Sequence, residues 1–149
     1  MSELRDLYEE VILDHNRNPR NFDRKPECCT HSANGFNPLC GDRVEVHLSV
    51  DGESVTDATF SGEGCAITTA AASIMTEAVK GRSVDDVHEL FNNIRNALTD
   101  DEVEVDEASL GKVAVILGVR EFPMRVKCAT LPWHTLEAAL NGEEKTTTE

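Results

Sequence analysis

The sequence predicts an α+β fold, a small antiparallel β-sheet of about three strands with helices packed against it. Three observations carry that expectation. Arg43 to Val50 alternates, with Val44, Val46, Leu48 and Val50 on one face, as a half-buried strand does. Asp51-Gly52 then turns the chain, and Ser54 to Phe60 returns as a second strand of a hairpin. The apolar residues before and after the hairpin recur at helical spacing instead, which sets helices on one side of a small sheet.

The remaining elements follow in order. Leu4, Tyr8, Val11, Ile12 and His15 share one face of a helix from Ser2 to about His15, and Ser2 can cap it. "NRNPRNFDRKPE" breaks that helix with two prolines and Asn-rich turns. After the hairpin, "GEGCAITTAAASIMTEAVKG" enters a helix dense in small residues, with Gly81 as its C-terminal cap. Ser83 caps the next helix, with Asp86 in the capping-box position and Val84, Val87, Leu90, Phe91, Ile94 and Leu98 at helical spacing. The acidic stretch "TDDEVEVDE" leads to a helix from about Glu107 to Val119, which Pro123 stops. A last helix carries Cys128, Leu131, Leu136 and Leu140, and the tail "GEEKTTTE" reads as disordered. The organisation expected is one domain over residues 1–141 and a disordered tail over 142–149, without repeats.

Composition bounds the function. With 28 acidic against 14 basic residues and a net charge of −14, neutralisation of a nucleic-acid backbone is excluded as a mode of binding. The acidic surface suits simple solubility and a high-salt source equally. No run of about 18 apolar residues is present, so no membrane span is expected. "MSELRDLYEE" carries no apolar signal core, and a soluble cytoplasmic protein is expected. Five cysteines, an odd number in such a chain, argue for thiol or metal chemistry over a disulfide framework.

Their positions sharpen this. Cys40 stands in the loop before the first strand and Cys65 in the loop after the second, at a helix start. The open end of the hairpin brings those loops side by side, and Cys128, at the beginning of the last helix, can reach the same place. A lone cysteine is often just a small buried hydrophobe. Three at junctions, with Asp42 two residues after Cys40, form a plausible tetrahedral zinc site of three thiolates and a carboxylate, at roughly 2.0–2.3 Å from the metal. Nearby cations would offset the charge, with Arg125 the first candidate and Lys127 and Arg43 behind it. Cys28 and Cys29 are adjacent, too constrained to bridge each other, and read as structural. His31 reads as a turn residue, and His15, His47, His88 and His134 as members of helix or strand faces.

"NPLCGDRV", "SGEGCAITTAAASIM" and "RVKCATLPWHTL" resemble, in order, the three cysteine motifs of the U-type iron–sulfur assembly proteins, the IscU/NifU N-terminal-like family. The likeness runs from the first helix to about Leu140. Lys127 stands where scaffold-type IscU proteins carry a histidine, "LGVREFPMRVKC" replaces their chaperone-docking segment, and the stretch from Cys65 to Cys128 is longer than theirs. These departures resemble the SufU branch and imply a SufU/IscU-like fold. The resemblance further implies zinc held by Cys40, Asp42, Cys65 and Cys128, with Cys40 accepting persulfide sulfur from a SufS-type cysteine desulfurase and other Suf assembly proteins as further partners. Two alternatives stay open at this point. The same thiolates can hold a nascent Fe–S cluster on a scaffold, and the site can be a structural zinc module whose loss unfolds the chain.

Overall fold

Alternation in the two hairpin segments produces the longest strands of a four-stranded sheet. A computed structural model describes residues 2–24, 26, 28–38, 41–99, 113–116, 123–143 and 145–147. The strands are β1 (His31–Asn37), β2 (Asp42–Asp51), β3 (Ser54–Glu63) and β4 (Lys145–Thr147), in spatial order β3-β2-β1-β4. The first three pair antiparallel and β4 runs parallel to β1. Helices α1 (Ser2–Arg17), α2 (Ala66–Val79), α3 (Val84–Thr99) and α4 (Pro123–Leu140) complete the described elements. α2 packs on β3 and α4 on β1 and β2, while α1 lies against α2 and α3 against α4.

The core sits between this sheet face and the helices. Val44, Val46, Leu48, Ala58 and Phe60 from the strands meet Ala71, Ile74 and Met75 of α2 and Leu131 and Leu136 of α4, all buried. Ala70, Ala71 and Ala72 let α2 approach closely. α3 begins as its capping pattern predicts, the Asp86 N–H donating to Ser83 Oγ at 3.1 Å. Its Val87, Leu90, Phe91, Ile94 and Leu98 are buried. His15 ties α1 down: it is fully buried, with Nδ1 2.7 Å from Ser73 Oγ and Nε2 3.7 Å from Glu77 Oε1.

The structure departs from the sequence reading in three places, and a fourth reading lies mostly outside the described residues. β1 was not legible, because "HSANGFN" has no β-branched residue and holds strand-poor Asn and Gly. Tertiary contact makes it a strand: Ala33, Gly35 and Asn37 face inward while Ser32, Asn34 and Phe36 face out. Lys145–Thr147, expected within a disordered tail, pair with Asn34–Phe36. Cys128 does not begin the last helix, which starts at Pro123, where a missing N–H costs nothing. The helix expected over residues 107–119 lies outside the described residues except for 113–116, which form a buried 3₁₀ turn.

Gly35 shows why α4 can lie so close to β1. A methyl group there would collide with Thr135 Oγ1, which itself donates to Leu131 O at 2.8 Å. Gly35→Ala is expected to cost about 1–3 kcal/mol of stability in urea unfolding. The Gly35→Ala/Thr135→Ala pair is expected to recover part of that loss, because the two sites share the contact.

The β3 rim is paired as well. On β3, Phe60 donates its N–H to Asn21 O and accepts from the Asp23 N–H, while Val55 exchanges backbone hydrogen bonds with Arg82 and Gly81. Asp57 reinforces that rim through Arg24 at 2.9 Å and Lys80 at 3.1 Å. The Arg24 hydrogen bonds, aided by Lys80 against partial burial, lower the Asp57 pKa from 3.8 to about 2. A carboxylate with a depressed folded pKa stabilises the protein above its unfolded value and loses that contribution as pH falls through the folded one. Stability is therefore expected to drop by about 1–2 kcal/mol between about pH 4 and pH 2 from this group. Asp57→Asn should flatten that part of the acid-unfolding curve.

Candidate metal centre

The open end of the β2–β3 hairpin meets the start of α2 and the second turn of α4. Asp42, Cys65 and Cys128 each present one ligand atom there, all within 4.8 Å of one another. Asp42 and Cys128 are buried and Cys65 is exposed, so the corner is open to solvent on one side.

Local structure explains the placement. Asp42 is the first residue of β2 and shares the inward parity of Val44, Val46 and Leu48. Its Oδ1 accepts the Cys65 backbone N–H at 3.1 Å, and its Oδ2 accepts the Thr68 hydroxyl at 2.6 Å. Cys65 is the N-cap of α2 and its side chain makes no cap hydrogen bond; the Asp42 carboxylate on β2 instead holds the Cys65 N–H and the Thr68 hydroxyl. The positive end of the α2 dipole favours the negative donor set gathered there. Thr68 Oγ1 also lies 3.4 Å from Cys65 Sγ.

Cys40 lies outside the described residues. Covalent connectivity still fixes it two residues from Asp42. Gly41, next to it, has φ +76° and donates its N–H to Asn37 O at 2.8 Å, a left-handed turn that an L-side chain would strain. Among the candidate cations, Arg125 is exposed, three residues before Cys128 on α4, and Lys127 is half-buried beside it. Arg43 is not part of the corner. Successive strand residues face opposite ways, and its guanidinium sits over the Phe36 ring, 5.8 Å from the centroid, on the outer sheet face. Thr68 was not singled out in the sequence, although its place three residues after Cys65, at the third helical position, was a usable signal.

Two thiols and a carboxylate converging at a helix N-terminus suit a borderline-soft divalent ion, and the donor set fits zinc or an iron–sulfur centre. Fold and site together define a small α+β protein with a metal-ready thiol corner. The chain belongs to the NifU-like N-terminal domain family, whose model matches residues 7–129.

It is 40% identical over 138 residues to the zinc-dependent sulfurtransferase SufU of Bacillus subtilis (strain 168), covering 93% of this chain and 92% of that protein. It is 33% identical over 140 residues to the iron–sulfur cluster assembly scaffold protein IscU of Streptococcus pyogenes serotype M1, covering 94% and 86%. A crystal structure from Fervidobacterium islandicum AW-1, described as a candidate iron–sulfur cluster assembly scaffold protein for the SUF system, superposes with a TM-score of 0.80 at 37% identity, covering 88% and 94%. Among the described residues, no helix is long and apolar enough to cross a membrane.

Proposed function

We propose that the protein serves iron–sulfur cluster assembly as a zinc-dependent sulfur acceptor, taking persulfide sulfur on Cys40 from a SufS-type cysteine desulfurase. The observation that carries this reading is the convergence of Asp42, Cys65 and Cys128 within 4.8 Å, with Cys40 two residues from Asp42. The 40% identity to a protein named a zinc-dependent sulfurtransferase supports the choice of metal and reaction. Cys40, Asp42, Cys65 and Cys128 would hold the ion, whose charge keeps bound thiols deprotonated at neutral pH.

In the transfer, the Cys40 thiolate attacks the outer sulfur of the partner's persulfide. That S–S bond breaks as the new one forms on Cys40, and the partner's thiolate leaves, so one sulfur atom changes owner without net electron gain or loss. Asp42 keeps its place because both its oxygens are held at the start of α2. Arg125, exposed one turn before Cys128, serves as countercharge to the loaded persulfide. The domain, with the Lys145–Thr147 strand included, acts as one unit in a cytoplasmic setting, where thiols stay reduced, and other Suf assembly proteins take the sulfur onward.

Protein purified without added metal is expected to carry about one zinc per chain and no acid-labile sulfide. Mixed with a SufS-type enzyme and cysteine, it should raise turnover several-fold. An absence of stimulation under reducing conditions overturns the reading. The scaffold names of the Streptococcus and Fervidobacterium relatives favour a second one, a nascent Fe–S cluster on the same thiolates. Its mark is visible absorbance after anaerobic reconstitution, transferable to an apo-ferredoxin.

A further inference from the structure

The outer face of the sheet carries a second group of reactive side chains that the proposed reaction does not use. Cys29 is exposed just ahead of β1; its thiol donates to the His31 carbonyl oxygen at 3.5 Å and lies 4.0 Å from His47 Nδ1, within the reach of a sulfur hydrogen bond. His47 is buried on β2, and its Nε2 lies 2.8 Å from Glu45 Oε1, two residues back on the same face. Glu45 therefore takes the Nε2–H, which leaves Nδ1 as an acceptor turned toward the thiol. Thr59, directly across from His47 on β3, and Ser49 are buried on this face, and their hydroxyls have no hydrogen-bond partner among the described residues. Asp42 and His47 stand five residues apart on β2 with opposite parity, roughly 16 Å along the strand, so this group is separate from the metal corner.

We infer that Cys29, His47 and Glu45 form a second thiol site, one that exchanges with small-molecule disulfides and is carried afterwards as a mixed disulfide. A thiol with an oriented imidazole beside it has the geometry of an activated nucleophile. The Cys29 proton passes to His47 Nδ1, and the thiolate attacks one sulfur of R–S–S–R. The disulfide bond breaks as the Cys29–S–R bond forms, and the departing R–S⁻ takes the proton back from the imidazolium. The Cys29 sulfur is oxidised, the leaving sulfur is reduced, and no other reactant is needed. Cys28 is equally exposed, but among the described residues it has no imidazole in reach, which makes it an internal reference.

The zinc-loaded protein is treated with hydroxyethyl disulfide, and modification is followed cysteine by cysteine through peptide mass spectrometry. Cys29 is expected to react about tenfold or more faster than Cys28. His47→Gln should bring Cys29 down to the Cys28 rate, and Glu45→Gln should slow it several-fold. Equal rates at Cys28 and Cys29 in the native protein overturn the inference. So does an unchanged Cys29 rate in a folded His47→Gln variant. Should His47→Gln fail to fold, the half-exposed Glu45→Gln decides, with an unchanged Cys29 rate counting against the site. Desulfurase stimulation, measured alongside, is expected to stay intact in Cys29→Ser, so that failure here and failure of the sulfur-acceptor reading are told apart.

Discussion

Cys40→Ala is expected to drop the several-fold stimulation of a SufS-type desulfurase to background, while leaving a folded protein. Cys65 and Cys128 are assigned to holding the metal, and the Cys40 thiol is the proposed acceptor. The fold has no comparable need of it. The described neighbours hold without it: the Gly41 N–H bonds Asn37 O and Asp42 begins β2, and both remain in the variant. Cys65→Ala and Cys128→Ala are expected to lose bound metal as well as stimulation, since each removes a converging donor. Circular dichroism, metal analysis and desulfurase turnover on the three variants separate the roles. Equal unfolding in all three would favour a purely structural zinc module.

Asp42→Ala is expected to be costlier to the fold than any of the cysteine variants. It removes the acceptor of the Cys65 N–H and of the Thr68 hydroxyl, the latter in a buried setting. A lost helix-terminus cap costs about 1 kcal/mol, and an orphaned buried donor about 1–3 kcal/mol more. With about 2–4 °C per kcal/mol for a chain of this size, the midpoint should fall by roughly 5–15 °C. Both proteins are compared in chelator, so that metal binding does not contribute to the difference. Asp42→Asn keeps a carbonyl oxygen for one of the two donors. It is expected to recover much of the stability and little of the metal affinity, because the negative charge is gone. A midpoint for Asp42→Ala within 2 °C or so of the native value would show that the carboxylate is not the fastening of α2.

The parts legible in the sequence were those with strong local signals. β2 announces itself by alternation, α3 by Ser83 and Asp86 at its start, and α2 by its small residues between glycines. The meeting of Asp42, Cys65 and Cys128 was legible for a different reason, since the hairpin fixes which of its flanking loops meet, while Cys40 lies outside the described residues. What was hidden depends on tertiary contact. β1 has no strand-forming composition and exists because β2 pairs with it and Gly35 admits α4. The tail segment Lys145–Thr147 finds a partner only once β1 is in place. Arg43 looked like a neighbour of the site from sequence distance, yet strand parity turns it to the opposite face. The Cys29–His47 contact joins residues far apart in the chain, and nothing local foretells it.

The hydrogen-bonded margins of the sheet have a consequence for how other proteins engage this one. β1 is flanked by β4, and β3 is met at Phe60 and Val55 by the Asn21–Asp23 and Gly81–Arg82 segments. At Phe60 and Val55 the outer backbone groups of β3 are already bonded, so an incoming strand finds no free ladder at those two residues. Recognition at those β3 positions runs through side-chain shape and charge.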